Sequence, residues 1–331
     1  MKRNVLITGG AGFIGLSLAR RLLDEGCRVT IVDNFSRAVS DPELRETAGR
    51  DGSTLVNADL LDENAAGKLG DDFDVIYHLA AIIGVAHVMG RPYDVLYDNV
   101  RMTANMIRCA RAQRGLARFL FASTSEVYAG TLSHFDLPVP TPETTPLAVS
   151  DLAHPRTSYM LSKIYGEALC HQSGLPFTIF RPHNVYGPRM GMVHVIPEQL
   201  RKAHEARDGD SIEVFSHDHT RSFCYIDDAV EMLVLMAKRG ECVGKTMNLG
   251  NQGPEVTMED LAGLCWKIAG KELRMDARPA SPGSPVRRAP DMTQTIQLTG
   301  HRPRVGLEEG IGRTYRWYRE NVFDTGGPSA R

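Results

Sequence analysis

Tyr159 and Lys163 stand four residues apart, a spacing that puts a phenol and an ammonium on one face of a helix. A free tyrosine titrates at about 10. An adjacent cation, joined by the positive ring of an oxidised nicotinamide, favours the phenolate, so Tyr159 is a candidate general base with Lys163 as its electrostatic partner. Lys163 also suits the ribose next to that ring. A second group, Ser123-Thr124-Ser125-Glu126-Val127-Tyr128, sets three successive hydroxyls at the end of an expected strand. They suit a reacting alcohol or carbonyl; the plainer reading is a polar turn that satisfies its own backbone.

A third group binds rather than reacts. Gly9-Gly10-Ala11-Gly12-Phe13-Ile14-Gly15 follows the first expected strand and opens the first expected helix. Glycines at 9, 12 and 15 allow a tight turn, close approach to a pyrophosphate and helix–strand contact, with the diphosphate at the positive end of the helix dipole. Asp33 ends the second strand, where a carboxylate accepts from a ribose diol and repels a 2′-phosphate. NAD is therefore favoured over NADP, a preference that nearby Arg37 weakens. Asp59, before Leu60, either reaches an adenine amino group or caps the following helix. In His78-Leu79-Ala80-Ala81 the small residues let backbone pass close to a cofactor, and His78 reads as a packed core histidine.

These groups need a scaffold. Short apolar runs at 5–8, 29–32, 55–57, 75–78, 118–122 and 177–180 predict strands, and amphipathic stretches at 13–25, 62–69, 93–113 and 157–171 predict helices. Their alternation predicts an α/β fold with a doubly wound parallel sheet, whose ligands sit beyond the carboxyl ends of the strands. The proline-rich stretch 131–155 reads as a long ordered loop. Later helices are expected at 195–207, 227–239, 258–269 and 307–321, around a Pro/Ser/Arg-rich stretch at 278–290, and the tail 324–331 is expected to fray. The domain division is 1–180 for the dinucleotide and 181–331 for a smaller substrate domain, the chain interleaving between the two.

Composition excludes other classes. Of 331 residues, 38 are Lys or Arg and 40 are Asp or Glu, so no basic excess exists to neutralise a nucleic-acid backbone. No apolar run spans a bilayer, and the N-terminal apolar stretch is too short for a signal peptide. Six scattered cysteines with no CxxC predict reduced thiols in a cytoplasmic protein, with neither disulfide nor zinc. His217-Asp218-His219 reads as a solvated loop, so no metal is expected.

Taken in order, Gly9–Gly15, Asp33, Asp59, the 78–81 segment, Asn99, the 123–128 segment, Tyr159 with Lys163, 181–189, 221–228 and 288–291 resemble the extended short-chain dehydrogenase/reductase family: the nucleotide-sugar epimerases, dehydratases and decarboxylases. The resemblance covers nearly the whole chain. It implies a doubly wound NAD domain (Rossmann) with a smaller C-terminal α/β nucleotide-sugar domain. It implies catalytic roles for Thr124, Tyr159 and Lys163, with Ser125 and Glu126. It implies NAD contacts at Gly9, Gly12, Phe13, Ile14, Gly15, Asp33, Asn34, Asp59, Leu60, Leu79, Ala80, Ala81, Asn99 and Ser123, and at Tyr159 and Lys163. It places Asn184 on a sugar-nucleotide phosphate, Arg221 and Arg288 on the diphosphate, and Phe215 against uracil. Members of the family pair the helices at 93–113 and 157–171 across a two-fold, so a homodimer is expected.

The shared first step is oxidation at C4 of the sugar. The 123–126 segment lacks the acidic third residue of the dehydratases' Ser-Thr-Asp-Glu. UDP-glucuronate decarboxylases resemble Ser123–Tyr128 and Gly187-Pro188-Arg189-Met190, and UDP-glucuronate 4-epimerases share the hydroxyl-rich segment and the arginine. Both point to a sugar carrying a carboxylate, with Arg189 the candidate to pair with it; the alternative is that Arg189 braces its loop. Ala129, where decarboxylases have glycine, and the 191–195 segment depart from the decarboxylase pattern. The expected activity is therefore C4 epimerisation of UDP-glucuronate. The alternatives are UDP-glucuronate decarboxylation, UDP-glucose 4-epimerisation and, in another class, a non-catalytic NAD sensor.

Overall fold

Val5, Leu6 and Ile7 are all buried, as a strand covered on both faces requires. They lie in β1 (Asn4–Thr8), an interior strand of a seven-stranded sheet in a computed structural model that describes residues 2–135, 138–149, 151–280 and 285–325. The sheet continues through β2 (Arg28–Asp33), β3 (Ser53–Asn57), β4 (Val75–His78), β5 (Arg118–Ala122) and β6 (Phe177–Pro182). After β7 (Val185–Tyr186), β8 (Ser211–Phe215), β9 (Thr220–Arg221) and β10 (Cys224–Tyr225), the chain returns to it as β11 (Lys245–Leu249). The order is β11-β6-β5-β4-β1-β2-β3, every pair parallel. Strand order reverses between β1 and β4, so the ligand crevice opens beyond Thr8 and His78.

Helices cover both faces. In chain order they are α1 (Phe13–Asp24), α2 (Pro42–Ala48), α3 (Glu63–Gly67), α4 (Val85–Gly90), α5 (Pro92–Arg111), α6 (Ala129–His134), α7 (Arg156–Gln172), α8 (Val195–Glu205), α9 (Ile226–Lys238), α10 (Met258–Ile268), α11 (Thr293–Thr299) and α12 (Leu307–Tyr318). Period-two alternation divides the sheet's side chains between two cores. Val5 and Ile7 join Leu18, Leu22 and Leu233 on the α1/α9 side; Leu6 and Ile76 join Met106, Phe119 and Cys170 on the α5/α7 side. Among the described residues, three small sheets lie outside the large one: β7 with β10, β8 with β13 (Arg274–Arg278), and β9 between β12 (Val256–Thr257) and β14 (Arg287–Arg288).

The predicted loop at 131–155 is corrected at its start, where α6 occupies 129–134. Residues 136, 137 and 150 of this stretch lie outside the described residues; among the others, Thr131 Oγ1 accepts from Ala148 N and donates to the Pro146 carbonyl, and Thr141 N donates to the Ala289 carbonyl. Short α2 and α4 escaped a pattern search tuned to longer apolar periods. The tail 326–331 lies outside the described residues, as do 281–284 of the Pro/Ser/Arg-rich stretch. The six cysteines are free, and among the described residues no cluster suits a metal and no helix is long and apolar enough to cross a membrane.

Candidate active site

At the cofactor end, shape is set by backbone. Gly9 has φ +66°, and a Cβ there would stand 2.8 Å from Ala80 N, which shows why position 9 must lack a side chain where the backbone of 79–80 passes. A Cβ on Gly15 would strike the Gly9 carbonyl oxygen and Gly10 Cα. Gly12 caps α1 without a side chain, leaving the first-turn N–H groups of this twelve-residue helix to an outside anion, with Phe13 and Ile14 following directly. A cradle that any side chain would fill fits a dinucleotide pyrophosphate. Asp33 Oδ2 accepts from Ala11 N (3.2 Å) and Oδ1 from Phe35 N (3.0 Å); burial raises its pKa against those bonds. Thr8 Oγ1 and His78 Nδ1 meet at 2.8 Å across the switch point, and burial drives His78 down to about 3, a neutral core residue.

Several expected cofactor residues have other work. Asp59 is exposed and accepts from Leu61 N, while the cap of α3 is Asp62; the expectation that Asp59 caps that helix is corrected by three residues. Leu60 is buried at 4% exposure, and its carbonyl accepts from Asn105 Nδ2. Asn34 folds back on Ser36 N. Asn99 grips Ile82 with Oδ1 (2.7 Å) and Nδ2 (3.0 Å) and also donates to Ser162, so it secures the segment after β4. Ser123 donates to Glu167 at 2.5 Å, away from the crevice residues.

Thr124 caps the turn of Ser125–Tyr128, accepting from Glu126 N at 3.2 Å, and its hydroxyl is hydrogen-bonded to the Tyr159 phenol. Lys163 Nζ donates to the Ala122 carbonyl at 2.8 Å and lies 5.8 Å from the Tyr159 ring centroid. The expectation that Lys163 lowers Tyr159 is not met by the chain's own groups. Burial raises the phenol pKa and Glu126 adds to the rise, while Thr124 and Arg37 act against it. The ammonium is directed at a carbonyl, and burial brings Lys163 down to about 8.

At the other end, Arg288 NH1 lies 2.6 Å from Glu126 Oε1, and this pairing holds the carboxyl below its ordinary range. Arg288 registers beside Arg221, which donates to the carbonyls of Thr220 (2.7 Å) and Pro285 (2.7 Å). Burial, then Arg288, lowers Arg221 to about 10. Asn184, at φ +41°, donates to the Ser222 carbonyl at 2.9 Å. Ser125 is buried in the same turn. Phe215 ends β8 half-exposed, in a different small sheet from the arginines. Arg189 is the clear departure. Its guanidinium grips Asp41 at 2.6 Å and reaches toward the Ala11 carbonyl, so it braces the glycine turn and is not held out to a sugar carboxylate.

The sequence reading missed Asp41, which offered only a helix-cap signal, and the Glu167–Arg181 pair, whose signal was a charge inside the apolar run of β6. It also undervalued Arg37, half-buried and within the field of Tyr159 and Asp33.

The profile of the NAD dependent epimerase/dehydratase family matches residues 5–250. A UDP-N-acetyl-alpha-D-glucosaminuronate decarboxylase of Bacillus cytotoxicus is 33% identical over 97% of this chain and 99% of its own length. UDP-glucuronic acid decarboxylase 1 of Xenopus tropicalis is 31% identical over 97% of this chain and 73% of its own. The solved UDP-glucuronic acid 4-epimerase of Bacillus cereus, in complex with UDP-glucuronic acid and NAD, superposes with a TM-score of 0.84 at 26% identity, covering 96% of this chain and 99% of that one.

Proposed function

Because this chain belongs to the NAD dependent epimerase/dehydratase family, we propose that it oxidises C4 of a UDP-linked uronic acid and then releases the sugar carboxylate as CO₂. The observation that carries this reading is the Glu126–Arg288 pair next to Thr124 and Tyr159: an arginine to receive an anionic sugar, beside an ionised carboxylate. The decarboxylases similar to this chain over nearly its whole length support the same outcome. The departures that favoured epimerisation weigh little in three dimensions. Ala129 has φ −59° and ψ −43°, where glycine has no advantage, and 191–195 form the turn that leads into α8.

Gly9, Gly12 and Gly15 would hold NAD at the start of α1, where the bound dinucleotide would supply a reversible hydride acceptor for C4. Tyr159, hydrogen-bonded to Thr124, takes the O4 proton. The 4-keto uronate is a β-keto acid: the C5–carboxylate bond breaks, its electron pair moves into the C4 carbonyl system, and CO₂ leaves. A solvent proton enters at C5, and Tyr159 returns its proton to O4. Arg221 suits the diphosphate; Arg288, expected there beside it, is instead assigned to the sugar carboxylate, because its pairing with Glu126 brings it to the turn that follows Thr124.

Proton NMR of the protein with NAD and either UDP-glucuronate or UDP-N-acetylglucosaminuronate tests this. A UDP-pentose with release of CO₂ is the expected result. UDP-galacturonate from UDP-glucuronate would establish the second reading, 4-epimerisation, which the likeness to the Bacillus cereus epimerase supports. We also propose a homodimer through α5 and α7, where Tyr93, Tyr97 and Tyr165 are exposed and the first two stack at 5.7 Å; light scattering at micromolar concentration checks it.

A further inference from the structure

Glu167 lies one turn beyond Lys163 on α7 and takes no part in the steps above. It is 5% exposed, and three donors hold its carboxylate: Arg181 Nε at 2.8 Å, Arg181 NH2 at 2.6 Å and the Ser123 hydroxyl at 2.5 Å. Arg181, 4% exposed near the end of β6, donates its remaining NH1 to the Tyr128 hydroxyl at 2.7 Å. Tyr128 in turn donates to Asn248 Oδ1 at 3.0 Å on β11. A buried ion pair is weak evidence for stability, since apolar residues of similar volume often hold a core equally well. This one ties together the strand ends and the helix that carry Thr124, Tyr159 and Lys163.

Resting on the reaction assigned above, we propose that Glu167, clamped by Arg181, is a positioning residue for the Tyr159–Lys163 pair. Through Ser123 it fixes the end of β5 from which Thr124 follows, and through one helical turn it supplies the counter-charge to the Lys163 ammonium. The surroundings of that ammonium single it out. Nζ has the Ala122 carbonyl at 2.8 Å and the Phe121 ring at 5.1 Å from β5, and the Tyr159 ring on its own helix. His78 on β4 is neutral, and Cys170 on α7 is a thiol that burial pushes up. Arg181 on β6 is itself a cation, which leaves Glu167 as the anion that bears on Lys163 and keeps its proton in place against burial.

Two readouts on the full-length protein test this, one independent of substrate. Competitive acylation of Lys163 across pH, quantified by mass spectrometry at that residue, reports its protonation. In wild type the midpoint is expected near 8. In Glu167→Gln it falls by at least half a pH unit, about threefold in proton affinity, and Glu167→Asp restores it. Because Glu167→Gln leaves Arg181 buried without its partner, the double variant Glu167→Gln/Arg181→Met is the control whose fold is checked by circular dichroism; its midpoint also falls. An unchanged midpoint in a folded Glu167→Gln or double variant overturns the proposal. The alkaline limb of kcat on the UDP-uronate should shift by the same amount. Absence of turnover in wild type would count against the reaction assigned above, while the labelling result would still decide the role of Glu167.

Discussion

Around the glycine turn the crevice is shaped by backbone packed on backbone; around Arg288 it is shaped by long charged side chains. Gly9 faces Ala80 N, Gly15 faces the Gly9 carbonyl, and Asp33 is tied down by Ala11 and Phe35. At the sugar end Arg288 leans on Glu126 while its Nε, buried, has no partner. His183 Nδ1 and Ser222 Oγ share that condition, so three of the five such atoms among the described residues lie in this end. Buried polar atoms are normally satisfied, and their concentration in one place marks where packing was not optimised for the empty protein. The glycine turn is therefore closed by backbone contacts that cannot turn aside, whereas the arginine end keeps unpartnered polar atoms, and we propose that specificity resides at the arginine end.

The sharpest way to break this contrast is Gly15→Ala. The new methyl meets backbone atoms of Gly9 and Gly10 that cannot turn aside. Overpacking of this kind costs about 3 kcal/mol, and the displaced turn is expected to lose NAD binding by at least about a hundredfold in calorimetric titration. Near-normal affinity would mean that the turn yields.

Tyr159→Phe comes next, because it leaves the shape of both ends alone. Turnover should fall by about 10²–10⁴, the usual range for a lost acid–base group, while NAD affinity changes little. A non-catalytic NAD sensor would show no such loss of function.

The same contrast explains what the sequence made legible. Glycine spacing, the acid at Asp33 and the Tyr159–Lys163 turn are local patterns whose geometry follows from strand–turn–helix connection, and the structure has the turn and the helix where those patterns put them. Asp59 and Ser123 sit at the right strand ends, yet their side chains turn to Leu61 and Glu167, because rotamers answer to packing that no local motif encodes. Arg189 shows the limit most clearly. Its partner Asp41 is 148 residues away, so a loop arginine that looks available in sequence is committed in space. The phenol of Tyr159 gave a similar lesson: nearness to Lys163 in sequence did not lower its pKa, because burial, with Glu126 adding to it, outweighs the groups that act the other way.

Arg288→Met probes the arginine end. Losing one charged, partly buried hydrogen-bonding group should raise KM for the UDP-uronate about 10- to 100-fold with NAD binding unchanged. The pH dependence has a definite sign. Arg288 is what chiefly holds Glu126 below the ordinary carboxylate range, so without it Glu126 takes up its proton at a higher pH. The acid limb of kcat/KM should therefore move upward, as a pH–rate series on the variant will show. An unmoved limb would detach Glu126 from the chemistry.

The smallest expected effect separates the two ends most finely. Asp41 Oδ1 caps α2 by accepting from Leu44 N, while Oδ2 receives Arg189. Asp41→Asn can keep the cap and loses only the charge pairing. The two side chains are 9% and 17% exposed, so the pair is well shielded and its loss should cost about 1–3 kcal/mol, a melting shift of several degrees. If Arg189 belongs to the cofactor end, the freed guanidinium loosens the Ala11 turn and weakens NAD binding a few-fold, and KM for the UDP-uronate stays within about twofold. If instead KM for the sugar changes tenfold while NAD binding holds, Arg189 faces the sugar, and the line between the glycine turn and the arginine end runs on the other side of residue 189.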